Sequence, residues 1–337
     1  MIPTRSSRAA WQDTLAQAVS DPSDLLARLE LPSDLVSGQA RNAFPLRVPE
    51  PFIARMRKGD PNDPLLAQVL PLAAESDSVA GYSTDPLGEA AARAGKGVVH
   101  KYQDRVLLIA SSGCAINCRY CFRRHFPYQD NQISGRHWQD ALRYIAADKE
   151  LREVIFSGGD PLVTTDRRLS EMIRDLAEIP HLQRVRIHTR LPIVIPARIT
   201  RELTEAMTAT RLKPVMVLHS NHPQEIDESV GDAIKQLRQQ GVTVLNQAVL
   251  LRGINDNVTT LARLSESLFE FGVLPYYLFV LDRVAGAAHF DVPDEEAQAL
   301  VGELQTCLPG YLVPRLAREI AGEPSKTLLT PFRRNRD

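Results

Sequence analysis

Residues 111–124 read SSGCAINCRYCFRR and place three of the chain's four cysteines on one short loop. Cys114, Cys118 and Cys121 are spaced Cys-x3-Cys-x2-Cys. Iron–sulfur cubanes are normally held by four thiolates, so three cysteines would leave one iron with an open position for a small molecule. The spacing leaves two alternatives open, a zinc knuckle completed by His125 or three ordinary buried thiols.

The composition of the 337-residue chain is that of an ordinary globular protein. Hydrophobic residues make up 44% and the formal net charge is -1, so no overall field favours nucleic acid as a partner. The N-terminus lacks a charged region followed by a long apolar stretch, and no later apolar run is long enough to span a bilayer. Only Cys307 lies outside the cysteine loop, which fits a reducing compartment. We therefore expect a cytoplasmic protein with no nucleic-acid or membrane partner.

From about residue 100 the sequence alternates short apolar runs with amphipathic segments. The runs begin near residues 106, 153, 185, 213, 242 and 274, at intervals of 47, 32, 28, 29 and 32 residues. This is the period of βα units whose strands are buried on both faces. The sequence therefore predicts an α/β fold with a parallel partial (β/α)6 barrel over residues 99–310. A helical N-terminal cap without chemistry of its own is expected over residues 1–98, and a short C-terminal segment over residues 311–337.

Polar or ionisable residues follow each of the six predicted strands. Parallel α/β folds place their active sites at the carboxyl ends of the strands, so these residues are expected to meet in one site. A single histidine at a strand end is usually structural, but six polar strand ends in succession indicate a site. In chain order they are Cys114, Ser157-Gly158-Gly159-Asp160, His188-Thr189-Arg190, His219-Ser220-Asn221-His222, Asn246-Gln247 and Asp282.

Three further features have two interpretations each. The glycines of FSGGDPL, residues 156–162, either let the backbone approach a ligand or form a plain tight turn, which Asp160 would help to shape. Arg123 and Arg124 follow the cysteines; an arginine can bind a carboxylate through two parallel hydrogen bonds, but on an ordinary loop the pair would be solvated. Lys326, one of only seven lysines, is by default a solvated tail residue, although a sheltered lysine can bond covalently to pyridoxal phosphate (PLP).

A set of motifs occurs in fixed order between roughly residues 80 and 330. They are GYSTDPLGE, HKYQDRVLL, CAINCRYCFRR, FSGGDPL, HTR, HSNHPQE, NQAVLLRGINDN, YYLFVLD and GEPSK. In these motifs the chain resembles the lysine 2,3-aminomutase family of radical S-adenosylmethionine (SAM) enzymes. The resemblance implies the radical SAM fold and an isomerase that moves the α-amino group of L-lysine to C3, with a [4Fe-4S] cluster, SAM and PLP as cofactors.

The resemblance also implies roles for individual residues. The three cysteines of the loop would bind the cluster, and Lys326 would carry PLP. Arg123 would bind the substrate carboxylate, while Asp282 and Glu319 would pair with its distal ammonium, because a buried charge needs a partner. The positions implied to contact the cofactors are Ser157, Gly158, Gly159, Asp160, His188, His219, Gln247, Tyr102 and Arg105.

The C-terminal segment departs from the clostridial members of that family. GEPSK stands where they have a glycine-rich stretch, and the chain ends 11 residues after Lys326 without their zinc-ligating cysteines. It looks most like the short form that makes (R)-β-lysine for modifying translation elongation factor P. The expected partners are lysine, a reductant such as flavodoxin or ferredoxin, and the elongation factor P ligase that uses the product.

Three alternatives remain at this point. An arginine aminomutase would also need carboxylates for the guanidinium, whereas a glutamate aminomutase would need a cationic pocket, and the two acids Asp282 and Glu319 count against it. The third alternative is a non-catalytic iron–sulfur or zinc protein.

Overall fold

The computed structural model describes residues 9–36, 44–131, 133 and 135–332. Residues 1–8 and 37–43 of the predicted cap and residues 333–337 of the predicted C-terminal segment lie outside the described residues. The described strands form one ten-stranded sheet in chain order. They are β1 (Arg93–Gly95), β2 (Val98–Tyr102), β3 (Arg105–Ser111), β4 (Glu153–Gly158), β5 (Arg184–Thr189), β6 (Lys213–His219), β7 (Thr243–Val249), β8 (Leu274–Phe279), β9 (Arg315–Arg318) and β10 (Thr327–Leu328).

Parallel pairing runs without interruption from β3 to β9. The prediction of a parallel partial (β/α)6 barrel is confirmed, with β3 to β8 as its six strands. β9 adds a short further parallel strand. Antiparallel pairs extend both edges, β1 and β2 beside β3 and β10 beside β9. Among the described residues β1 and β10 do not pair, so the barrel stays open.

Helices connect the strands and cover the sheet. Several of them begin where a side-chain oxygen accepts a backbone N–H of the first turn, as Thr165, Thr200, Asp227 and Asn257 do. The α-helices are α1 (Ala10–Ala16), α2 (Pro22–Arg28), α3 (Glu50–Ile53), α4 (Pro64–Ala67), α5 (Tyr128–Asn131), α6 (Arg136–Ala147), α7 (Asp166–Ala177), α8 (Leu191–Val194), α9 (Arg201–Thr208), α10 (Glu228–Gln239), α11 (Val258–Glu270) and α12 (Asp294–Cys307). None of the described helices is long and apolar enough to cross a membrane.

The N-terminal helices share one hydrophobic core with the barrel. Leu25, Phe52 and Leu65 belong to the same buried cluster as the strand residues Val154 and Ile187. Burial of that apolar surface is the main force that holds the cap on the sheet.

A buried ion pair also joins the cap to the cysteine loop. Arg119, between the second and third cysteines, is fully buried and pairs with Glu75 of the cap. Glu75 also binds Arg124, at 2.7 Å. A buried charge is stable only when it is paired, so these contacts fix the loop against the cap.

Candidate active site

A cavity of about 380 Å³ lies at the carboxyl ends of the parallel strands. Its volume is in the range of small-molecule and cofactor sites. The strand-end residues Ser220, His222 and Asn246 do not line it, whereas the structure brings to its wall every residue for which the resemblance implies a role. These are Tyr102, Arg105, Cys114, Cys118, Cys121, Arg123, Ser157, Gly158, Gly159, Asp160, His188, His219, Gln247, Asp282, Glu319 and Lys326.

The glycine motif packs directly against the cysteine loop. Backbone N–H groups of Gly159 and Asp160 donate to the carbonyls of Ser111 and Gly113, at 2.9 and 2.7 Å. A Cβ on Gly159 would lie 2.3 Å from the Gly113 carbonyl oxygen, and Gly158 has a φ of +125°. The two glycines are therefore required for the close approach of two loops, a reason that their sequence alone did not reveal.

Asp160 shapes the turn that follows the glycines. Its buried carboxylate accepts hydrogen bonds from the backbone N–H groups of Leu162, Arg190 and Leu191 and from the hydroxyl of Thr189, at 2.7–3.0 Å. Burial raises the pKa of Asp160 despite these four donors. The carboxylate thus fixes the end of β5 relative to the end of β4. This agrees with the interpretation that Asp160 helps to shape the turn.

The three thiols of the loop are free and partly buried. Burial and the neighbouring thiols raise the pKa of Cys114 well above its usual range and that of Cys121 to about 11. A metal must therefore displace these protons, which is how metal binding to thiols ordinarily proceeds. Among the described residues, no three His, Cys, Asp or Glu side chains could share one metal ion. A cubane does not need such convergence, because each thiolate binds its own iron.

His125, the fourth ligand of the alternative zinc knuckle, contacts a different loop. Its Nε2 lies 3.1 Å from the carbonyl oxygen of Ala285, in hydrogen-bonding contact with another loop, and the side chain is exposed. A zinc knuckle would need its ligands to converge on one ion, and no such group of His, Cys, Asp or Glu is found in the described part of the chain.

Two neutral histidines stand at the ends of β5 and β6. The rings of His188 and His219 meet edge to face at 5.8 Å, and the Nε2 atom of each is buried without a hydrogen-bond partner among the described residues. Burial, reinforced by nearby arginines, lowers the pKa of His188 well below its usual value and that of His219 to about 3. Buried polar atoms without partners are costly, so both rings are fitted to a polar ligand in the cavity. Gln247 lines the cavity beside them.

Arg123 is already paired with an acid of the cap. Its guanidinium binds both carboxylate oxygens of Glu89, at 2.7 and 2.8 Å, and Nη1 donates to the Ser157 hydroxyl and the Gly158 carbonyl. Four of its five N–H groups are therefore in use, and one on Nη2 remains. Burial would lower the pKa of Arg123, but the charge of Glu89 outweighs it and raises the pKa.

The acids and lysines at the other end of the cavity form a linked cluster. Glu319 accepts from Lys101 on one carboxylate oxygen and from Lys326 on the other, both at 2.9 Å. Burial alone would raise the pKa of Glu319, but these two ammonium groups lower it to about 2. Asp282 makes no side-chain hydrogen bond or ion pair among the described residues. Burial and then the charge of Glu319 raise the pKa of Asp282 to about 7, against the pull of the two lysines.

Aromatic rings enclose the ammonium group of Lys326. Its Nζ lies 5.4 Å from the ring centre of Tyr102, 5.9 Å from that of Tyr277 and 5.2 Å from that of Phe279. Arg105, which also lines the cavity, stacks on Tyr102, with its guanidinium carbon 4.3 Å from the centre of the ring. Lys326 is therefore a cavity residue, and the alternative of a solvated tail lysine is wrong.

Known proteins are similar to this chain over nearly all of its length. The model of the Radical SAM superfamily matches residues 108–264. The L-lysine 2,3-aminomutase of Escherichia coli (strain K12) is 54% identical over 326 residues, covering 96% of this chain and 95% of that protein. The protein of that name from Haemophilus influenzae is 54% identical with 94% and 95% coverage, and that from Clostridium subterminale is 34% identical with 95% and 78% coverage. The chain belongs to the L-lysine 2,3-aminomutase family.

Radical SAM enzymes of this family use a [4Fe-4S] cluster and SAM, and the cavity fits both. Three thiols on one loop leave an iron for SAM, and the two histidines with unpartnered nitrogens lie across the same cavity. When bound, cluster and SAM supply the radical chemistry, while the protein binds them and excludes water.

Two residues of the aminomutase site were missed in the sequence. Glu89 lies in the cap, which was expected to carry no chemistry, and Lys101 lies at the end of β2. Glu89 belongs to the motif GYSTDPLGE and Lys101 to HKYQDRVLL, so both motifs marked the positions without indicating the partners.

Proposed function

We propose that this aminomutase converts L-lysine to β-lysine and that it uses PLP, carried on Lys326, for the migration of the amino group. The observation that carries the proposal is the Asp282 carboxylate, which is half-buried in the wall of the cavity and has no hydrogen-bond or ion-pair partner among the described residues. A cationic group of the substrate would supply that partner. The names of the relatives point to lysine, and a distal ammonium satisfies the charge of Asp282.

Opposite ends of the substrate would bind to different residues of the cavity. We propose that Arg123 binds the α-carboxylate through its remaining Nη2–H, because Glu89 occupies the other side of the guanidinium. A contact through two parallel hydrogen bonds would require Glu89 to release Arg123. Asp282 then binds the distal ammonium, and the carboxylate of Glu319, which lines the same cavity, adds further negative charge.

PLP supplies the stabilisation of the migrating amino group when it is bound. The protein's own contribution is to hold the Lys326 amine in place through its contact with Glu319 and to shelter it between Tyr102, Tyr277 and Phe279. Arg105, above Tyr102, is the proposed contact of the cofactor's anionic end.

Replacing Asp282 by Asn is expected to lower kcat/KM for lysine by two to three orders of magnitude. The change keeps the shape but leaves the ammonium without a charged partner, a cost of roughly 3–5 kcal/mol at a buried site, at about 1.4 kcal/mol per tenfold. In the unmodified enzyme, kcat/KM should also fall as the pH drops below about 7, because protonated Asp282 cannot pair with a cation. That acid limb should be absent in Asp282→Asn.

The measurement is β-lysine formation from pH 5.5 to 9 with saturating SAM and PLP, repeated with arginine and glutamate. Asp291→Asn is the matched control, because Asp291 binds the Tyr82 hydroxyl at 2.8 Å and does not line the cavity. It should keep the wild-type rate and pH profile. A near-normal kcat/KM in Asp282→Asn would place the ammonium site elsewhere. Faster turnover of arginine than of lysine would show that arginine, not lysine, is the substrate.

We propose further that the product is (R)-β-lysine and that the elongation factor P ligase attaches it to elongation factor P. In support, the chain spans 95% of the Escherichia coli relative but 78% of the one from Clostridium subterminale. A cytoplasmic flavodoxin or ferredoxin is the proposed reductant. Chromatography of the product on a chiral phase tests the configuration. Incubation of the product with the ligase and elongation factor P should increase the mass of elongation factor P by one lysyl residue. No change in that mass would contradict this role.

A further inference from the structure

We infer that Arg190 sets the reduction potential of the cluster by holding a fixed positive charge against the sulfur of Cys118. Arg190 follows β5 directly, and its Nη1 lies 2.7 Å from the Cys118 Sγ. The side chain is buried, so solvent screens this charge little. Hydrogen bonds and charges at the sulfurs are the means by which a protein tunes an iron–sulfur cluster.

The guanidinium of Arg190 is held in place by contacts of both terminal nitrogens. Nη2 donates to the Gln68 side chain at 2.7 Å and to Glu225 at 3.1 Å, and Nη1 also donates to the Tyr120 hydroxyl. Its plane is covered by Phe52, whose ring centre lies 5.3 Å away. A charge fixed in this way needs no rearrangement when the electron arrives.

The acid opposite Arg190 is fixed as well. Glu225 is fully buried and accepts from the Gln68 amide at 3.1 Å and from the backbone N–H groups of Asn221 and His222, at 3.0 and 3.1 Å. Its negative charge therefore offsets part of the charge on Arg190. The charges of these two side chains therefore act in opposite directions at Cys118.

The contact distinguishes one thiol from the other two. Among the described residues, Cys118 is the only cysteine of the loop whose sulfur accepts a hydrogen bond from a cationic side chain. Arg123, which also lines the cavity near the thiols, directs its donors to Glu89, Ser157 and Gly158 instead. Arg190 therefore places its positive charge beside one of the three cysteine sulfurs that would hold the cluster.

The effect on reduction has a definite sign. One electron from a low-potential reductant adds one negative charge to the cluster, and a nearby positive charge stabilises the reduced form. Removing the charge of Arg190 should lower the equilibrium constant for reduction about tenfold to hundredfold. At 59 mV per tenfold for one electron, this moves the midpoint potential about 60–120 mV more negative.

The experiment is a dithionite titration of the reconstituted protein, followed by electron paramagnetic resonance, in Arg190→Gln, Arg190→Lys and wild type. Arg190→Gln should show the full negative shift and Arg190→Lys, which keeps the charge, less than half of it. Arg198→Gln is the matched control, a buried arginine that pairs with Asp166 away from the thiols and should leave the potential unchanged. No lysine or PLP is present, so the outcome is independent of the proposed substrate.

Glu225→Gln supplies the opposite test, because it removes the charge that offsets Arg190 and should move the potential in the positive direction. A loss of packing alone would shift both variants in the same direction. Iron content is measured in every variant. If Arg190→Gln binds no iron, the midpoint potentials of Arg190→Lys and Glu225→Gln test the inference instead. A wild-type potential in an iron-replete Arg190→Gln, or a negative shift in Glu225→Gln, would overturn the inference.

Discussion

Replacing Cys118 by alanine is expected to abolish the reductive cleavage of SAM. The chain offers three thiolates on one loop and, among the described residues, His125 is engaged elsewhere, so no substitute ligand is at hand. A cluster that loses one of three protein ligands exposes a second iron and loses the single open position that SAM needs. Cys114→Ala and Cys121→Ala should behave in the same way. The measurements are the iron content and the 5'-deoxyadenosine formed in a single turnover with dithionite.

Cys307→Ala is the control for this series. Cys307 is exposed at the end of α12, where its sulfur contacts the backbone carbonyl of Glu303 at 3.6 Å. Its loss should leave iron content and SAM cleavage at the wild-type level. Full cleavage activity in Cys118→Ala would contradict the assignment of the cluster ligands, whatever the substrate of the enzyme is.

The barrel was predictable because parallel strands covered on both faces are rich in apolar residues. Runs such as VLLIAS and EVIFSGG stand out from the amphipathic helices between them, and their spacing gives the βα period. The edge strands were not predictable in this way. β9 contains two arginines in four residues and β10 is two residues long, so neither shows a periodic pattern.

Residue types predicted the location of the site better than its contacts. A polar residue after a buried strand lies at the carboxyl edge whatever its partner is, which is why His188 and Asp282 were found. Pairing between distant segments has no such local signal. Glu89 binds Arg123 across 34 residues and Lys101 binds Glu319 across 218, and only the folded chain brings them together.

Replacing Lys326 by alanine is expected to remove the covalent attachment of PLP and the aminomutase activity, while the cluster and SAM cleavage remain. Lys326 is the candidate because its Nζ lies in the cavity, enclosed by aromatic rings, 2.9 Å from Glu319. The Glu319 carboxylate holds the amine in position, and the amine must lose a proton before it attacks a carbonyl. The protein is incubated with PLP and reduced with borohydride, and the labelled peptide is identified by mass spectrometry.

Lys101→Ala is the matched control, because Lys101 binds the other oxygen of the same Glu319 at the same distance. If the arrangement has the roles proposed here, Lys101 keeps the Glu319 carboxylate paired while Lys326 is bonded to the cofactor. The label should then stay on Lys326 in Lys101→Ala and disappear in Lys326→Ala, with iron content equal in both. A label on Lys101 in wild type would exchange the roles of the two lysines. No label on either lysine would remove PLP from the proposed reaction but leave the cluster chemistry intact.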